Sequence, residues 1–166
     1  MNESYAEAGC KKKATIGTYL IKTFLVLFSI ILFFLTYQSY ILLVLSAVII
    51  VGIMYLFPRF NLEYEYIFCD GQLDFDKIYG NVKRKTAQRI DFEHVEICAP
   101  IQSHALDSYV NKREIQVKNY SSKSKDAKPY AIIVHEQDKW YKIIFEPNEK
   151  MIACMKAKAP RKVVEY

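Results

Sequence analysis

Residues 14–57 carry almost no charge, and Lys22 is the only charged side chain among them. A bilayer's hydrocarbon core of roughly 30 Å is crossed by about 20 apolar residues in helical form. Residues 19–35 and 41–57 each supply such a run, and a polar break at 36–40 separates them. The break is too short to cross anything, so the sequence predicts a tight hairpin of two transmembrane helices. A single helix bent at the break is the alternative, but it would place Gln38 in the middle of the membrane.

Positive charge predicts how this hairpin is oriented. Lys11, Lys12 and Lys13 precede the first apolar run and Arg59 follows the second, whereas the tip between the runs is uncharged. Cytoplasmic flanks of membrane spans are enriched in lysine and arginine. We therefore expect a multi-pass protein of the plasma membrane with both termini in the cytoplasm. Lys22 lies near the start of the first run, from where its long side chain can extend to the headgroups.

From residue 61 onward the pattern becomes that of short strands followed by one helix. Leu62, Tyr64, Tyr66 and Phe68 alternate with polar residues, which indicates a strand with one buried face, and a hairpin-type turn follows at 70–71. Further strands are predicted at 72–79, 82–90, 94–99, 130–135 and 140–145, and a mobile polar loop at 120–128. An apolar stripe at 151, 152 and 155, between prolines 147 and 160, predicts a C-terminal amphipathic helix.

These elements predict an α+β membrane protein. An N-terminal transmembrane helical hairpin is followed by an antiparallel β-barrel or sandwich of pleckstrin-homology-like (PH-like) type, closed by the C-terminal helix. The expected organisation is a cytoplasmic segment at 1–14, the hairpin at 15–57, a cytoplasmic PH-like domain at 61–160 and a tail at 161–166.

The chain also resembles a known family over nearly its whole length. The segments that carry the resemblance are residues 63–66 running into 70–78, the basic third strand, and residues 95–100, 106–109, 145–151 and 159–162. They resemble a small uncharacterised family of bacterial membrane proteins with two spans and a C-terminal PH-like domain. The resemblance implies an architecture and a location, but no activity.

Few side chains are spaced as catalytic or metal sites require. Asp70, Asp74 and Asp76 lack the order of a calcium loop, in which a glycine and a distant glutamate follow the carboxylates. The three histidines are far apart, the four cysteines form no C-x-x-C pair, and no glycine-rich phosphate loop occurs. We therefore expect no enzyme activity, no cofactor and no bound metal.

The best candidate for a binding site is the basic third strand, with Lys83, Arg84, Lys85 and Arg89. Anionic inner-leaflet lipid attracts such residues with about 1 kcal/mol each. A solvated strand face is the plainer interpretation of the same residues. The expected partners are the bilayer, anionic lipid headgroups and a protein of unknown identity, but not nucleic acid.

The function that the sequence favours is a membrane-anchored interaction module for a protein partner. Two alternatives stay open: a domain that senses or docks on anionic lipid, and an accessory subunit of a transport or export complex.

Overall fold

The computed structural model describes residues 5–14, 16–36, 39–57, 61–80, 83–110 and 114–165. The helices are α1 (Ile16–Thr36), α2 (Tyr40–Leu56), α3 (Asp107–Val110) and α4 (Glu149–Lys158). The strands are β1 (Tyr5–Lys11), β2 (Leu62–Cys69), β3 (Gln72–Tyr79), β4 (Lys83–Asp91), β5 (Val95–Pro100), β6 (Ile115–Asn119), β7 (Tyr130–Glu136) and β8 (Lys139–Phe145). Residues 37, 38 and 59, on which the predicted tip and part of the orientation argument rest, lie outside the described residues.

Helices α1 and α2 are two separate helices that pack against each other, as the hairpin prediction expects. Ser46 lies in their interface with 2% of its surface exposed, and its hydroxyl donates to the Leu43 carbonyl within its own helix. The outer surfaces of both helices are exposed apolar side chains. Residues Ile16–Leu35 are long and apolar enough to cross a membrane, whereas α2 is shorter than that measure requires. Among the described residues the structure thus supplies one helix that meets the length criterion.

Strand β1 lies in the segment 1–14, which the sequence predicts to be outside the PH-like domain. It pairs antiparallel with β2, from Tyr5 opposite Cys69 to Lys11 opposite Glu63. Gly9 permits this pairing, because a Cβ there would lie 2.9 Å from the Tyr64 carbonyl oxygen. Along the chain, the two helices are therefore an insertion between β1 and β2, which are paired neighbours in the sheet.

The first sheet is an antiparallel meander in the order β1-β2-β3-β4. Asp70 and Gly71, with φ of +46° and +95°, form the predicted tight turn between β2 and β3. The second predicted turn includes Asn81, which lies outside the described residues.

The second sheet has the order β5-β7-β8-β6. Of the two predicted arrangements, barrel or sandwich, the structure has two separate sheets and no closed barrel among the described residues, and the expectation that all strands are antiparallel is wrong for one pair. Strand β6 pairs parallel with β8. The reason is the connection at 120–129, which carries the chain across the sheet instead of turning it back as a hairpin. Among the described residues, no backbone ladder joins β4 to β6, so the domain consists of two sheets with open edges.

The main core lies between the two sheets and contains the residues that alternate inward along each strand. Tyr66, Phe75 and Phe145 are fully buried, with ring centroids 5.5–5.6 Å apart in edge-to-face contacts. Helix α4 covers this core through Met151 and Met155, both 0% exposed, and it also contacts β1 and β2. Asn148 caps the helix by accepting a hydrogen bond from the Met151 N–H, 2.8 Å away.

Candidate membrane-facing site

Both ends of the helical pair leave the first sheet at the same edge. The Lys12 N–H donates to the Leu62 carbonyl at 2.9 Å, so the two strands are still paired where the chain enters and leaves the helices. The Gly80 N–H donates to the Asn61 carbonyl at 2.9 Å, which brings the end of β3 to this edge as well. We call this end of the sheet, which contains Lys12, Asn61, Leu62 and Gly80, the hairpin edge. It is the end of the domain nearest the helices, not an edge strand.

Several lysines are gathered at the hairpin edge. Lys11, Lys12 and Lys13 are exposed, and the Lys11 ammonium lies 3.0 Å from Glu63. The Lys22 ammonium of α1 donates to Asn61 Oδ1 at 2.9 Å and lies 5.3 Å from the centre of the Phe57 ring. Lys22 is thus directed toward the β-sheet domain, whereas the predicted extension to lipid headgroups stays a prediction.

The loop after β6 reaches the same edge and is held by side-chain hydrogen bonds. The Lys13 N–H donates to the Ser122 carbonyl at 2.9 Å, and the Ser122 hydroxyl donates to Glu146 Oε1 at 2.8 Å. Tyr120, Ser121 and Ser122 are buried. The prediction of a mobile loop at 120–128 is therefore wrong for its first residues. Lys123 follows them, exposed and with a φ of +60°.

The structure places the four predicted lipid-binding residues on two different faces of the sheet. Lys83 lies opposite Tyr79 in the row that contains Leu62, two strands and about 10 Å from the helix attachment. Lys85 lies two residues further along β4, away from the hairpin edge, and its side chain points to the same face as that of Lys83. Both are exposed, and neither forms an ion pair with a residue that the structure describes.

Arg84 and Arg89 point to the opposite, outer face, where carboxylates already pair with them. Arg84 contacts Asp76 and Glu65, each at 2.5 Å. Arg89 donates two hydrogen bonds of 2.7 Å to Asp74. Asp74 lies opposite Ile67, five residues or about 17 Å along β2 from Leu62 at the hairpin edge. The strand register therefore does not bring the four predicted residues together.

Electrostatics on the outer face also argue against membrane contact there. The register gives this face the cations Lys11, Arg84 and Arg89 and the carboxylates Glu7, Glu63, Glu65, Asp74, Asp76 and Asp91. Burial, together with a hydrogen bond to Glu7, raises the pKa of the Glu65 carboxyl, whereas the bond to Glu65 lowers the pKa of Glu7. An excess of carboxylates repels an anionic lipid surface, so this face does not suit lipid binding.

Arg84 instead has a structural role that predicts a measurable loss of stability. Asp76 is only 6% exposed, and its hydrogen bond raises the pKa of Arg84. We expect Arg84→Gln to lower the free energy of unfolding by about 1–3 kcal/mol, because it leaves a buried carboxylate without its cation. Lys85→Gln is the matched control and should change stability by less than about 0.5 kcal/mol. Denaturant unfolding of the full chain in detergent micelles measures both, and equal effects would contradict the structural role.

A cleft of about 790 Å³ opens beside the hairpin edge, between the helices and the sheet. We call it the hairpin cleft. Its polar mouth contains Lys11, Lys12, Asn61 and Glu63. Its apolar wall comes from α1 and α2 and includes Val26, Ile50, Ile53, Met54 and Phe57. The sequence does not reveal this cleft, because β1 and β2 lie on opposite sides of the two helices along the chain and become neighbours only in the folded sheet.

The other residues considered for chemistry have ordinary structural contacts. His104 lies 3.1 Å from Asp107, and His135 stacks on Trp140 with centroids 4.2 Å apart. Burial raises the pKa of the Cys10 thiol to about 11, and its sulfur lies 2.9 Å from the Tyr66 hydroxyl. Such a thiol is protonated at neutral pH and a poor nucleophile. Within the described ranges, no group of three or more His, Cys, Asp or Glu residues could hold a metal ion.

Two sheets with a C-terminal helix over their core place the domain in the PH-like class. Comparison with protein families agrees: the model of the bacterial PH-like domain family (DUF6106) matches residues 2–165. The chain therefore belongs to this family. No curated protein and no solved structure matches it.

Proposed function

We propose that this protein is a non-enzymatic interaction module anchored in the plasma membrane by the α1–α2 hairpin. The observation that supports it best is the insertion of two apolar, outwardly exposed helices between the adjacent strands β1 and β2. A soluble domain would have to cover these side chains, because so large an exposed apolar surface is otherwise a site of aggregation. A bilayer covers them without any further protein.

The proposed orientation has the PH-like domain at the cytoplasmic face. The lysines of the hairpin edge would lie in the headgroup region, where the positive-inside rule expects them on the cytoplasmic side. This orientation turns the hairpin edge toward lipid and leaves the open edges of β4 and β6 accessible to a protein partner. Partner binding at a sheet edge would use backbone hydrogen bonds that the domain itself leaves unmade.

Docking on anionic lipid is the second candidate function, and it is favoured by the exposed lysines Lys12, Lys13 and Lys83 at the hairpin edge. Since the hairpin would already tether the domain, lipid contact would fix its orientation rather than recruit it. Binding of this kind weakens as salt shortens the Debye length below roughly 10 Å. A protein partner that stays bound at high salt would favour the first function over the second.

Membrane extraction tests the anchoring. We expect the full chain to stay in the membrane pellet after alkaline carbonate treatment, because the two helices would be surrounded by lipid. A variant in which residues 14–60 are replaced by a short Gly/Ser turn should move to the supernatant, since β1 and β2 are already neighbours. Release of the full chain by carbonate would contradict the proposed anchoring.

A further inference from the structure

We propose that the hairpin cleft binds one anionic glycerophospholipid, with the phosphate at its lysine-lined mouth and an acyl chain along its apolar wall. The proposal rests on the proposed membrane anchoring, because only a chain in the bilayer presents the cleft to lipid. It assigns the cleft a single ligand, which differs from general attraction of the hairpin edge to the membrane surface.

The mouth of the cleft has more positive than negative charge. Lys11 is paired with Glu63 at 3.0 Å, so these two charges compensate each other. Lys12 is exposed and makes no ion pair with any described residue. Lys22 does not line the cleft, but its ammonium contacts two residues that do: the neutral amide oxygen of Asn61 and the Phe57 ring. One uncompensated ammonium group in the mouth, that of Lys12, with the Lys22 ammonium beside the cleft, favours a phosphate over a neutral headgroup.

The wall of the cleft extends from the headgroup level into the apolar part of the hairpin. Val26 lies ten residues after the start of α1, which is about 15 Å along the helix axis. Ile50 and Met54 line the facing side from α2. A volume of about 790 Å³ is within the range of ligand sites, roughly 300–1,000 Å³. A soluble phosphate compound would leave this wall without apolar contact, whereas a phospholipid matches both the wall and the mouth.

Native mass spectrometry of the full chain tests the proposal. The chain is reconstituted into nanodiscs of equal parts phosphatidylglycerol and phosphatidylcholine, released in a mild detergent, and its retained lipids are counted. We expect one phosphatidylglycerol per chain, in preference to phosphatidylcholine. Equal retention of the two lipids, or retention of neither, would overturn the proposal.

Two pairs of variants separate the cleft from the surface around it. Lys12→Ser should lower the preference for phosphatidylglycerol about fivefold, which corresponds to about 1 kcal/mol for one cation, whereas Lys83→Ser, outside the cleft, should not. Val26→Trp should fill the cleft and abolish retention, whereas Val44→Trp, on an exposed part of α2 that does not line it, should retain the lipid. Lipid retained by Val26→Trp, or equal losses in Lys12→Ser and Lys83→Ser, would contradict binding in the cleft.

The same samples distinguish this proposal from the proposed anchoring. A chain that does not incorporate into nanodiscs contradicts both. A chain that incorporates but retains no anionic lipid contradicts the lipid site alone.

Discussion

Replacing Met155 with Asp is expected to unfold the PH-like domain. Met155 is 0% exposed and lies where α4 covers the core between the two sheets. An unpaired carboxylate there costs several kcal/mol, a large share of a typical domain stability of roughly 5–15 kcal/mol. The expected result is loss of the cooperative unfolding transition of the full chain, measured by circular dichroism in detergent micelles, with helical signal from α1 and α2 remaining.

Ala153→Asp is the matched control, because it introduces the same charge on the exposed side of the same helix. It should shift the transition only slightly, within about 0.5 kcal/mol. Ile152→Asp should fall between the two, since Ile152 is partly buried. If Met155→Asp and Ala153→Asp melt alike, α4 does not pack on the core as described.

Removing β1 is expected to have an effect of similar size. Ala6 is 0% exposed in the main core, and the inward side chains of Ala8 and Cys10 pack against it. A fragment of residues 61–165 would lose these contacts and expose β2 as a new sheet edge prone to aggregation. We expect this fragment to be unfolded or insoluble, as judged by gel filtration and amide proton NMR.

The control is a fragment that also lacks the helices but keeps β1, with residues 5–13 joined to 61–165 by a Gly/Ser turn. Backbone pairing of Lys12 with Leu62 shows that a short connection suffices there. This linked fragment should be soluble and give a dispersed NMR spectrum. A well-folded 61–165 fragment would show that β1 is dispensable.

Sequence periodicity predicts most of the strands but not β1, for a physical reason. Strands β2 and β3 alternate large apolar with polar residues, because their inward side chains fill the space between two sheets. In β1 the inward residues are the small Ala6, Ala8 and Cys10, since α4 packs close to this strand. Without bulky inward side chains, the segment lacks the hydrophobic alternation by which strands are recognised.

For the candidate site, the sequence predicts the type of residue, basic side chains near the membrane, but not which of these residues the fold brings together. A cluster of basic residues near the membrane is visible in the sequence, but which of them are free depends on register. Arg89 lies opposite Asp74 because of a bulge between Phe75 and Asp76, which no local sequence pattern predicts. Arg84 lies opposite Ile78 and reaches the carboxylates of Asp76 and Glu65 diagonally across the sheet. Likewise, Lys11 and Lys12 become part of a cleft only because the chain returns after the two helices and β2 pairs with β1.

Topology of the helical hairpin tests the central claim most directly. Cys69 is exposed at the turn end of β2, whereas Cys98 is buried and Cys10 and Cys154 can be changed to Ser. In a chain so altered that also carries Gln38→Cys, a membrane-impermeant maleimide should label position 38 in intact cells and Cys69 only after permeabilisation. Labelling of Cys69 in intact cells, or protection of position 38 until permeabilisation, would contradict a hairpin that holds the PH-like domain at the cytoplasmic face.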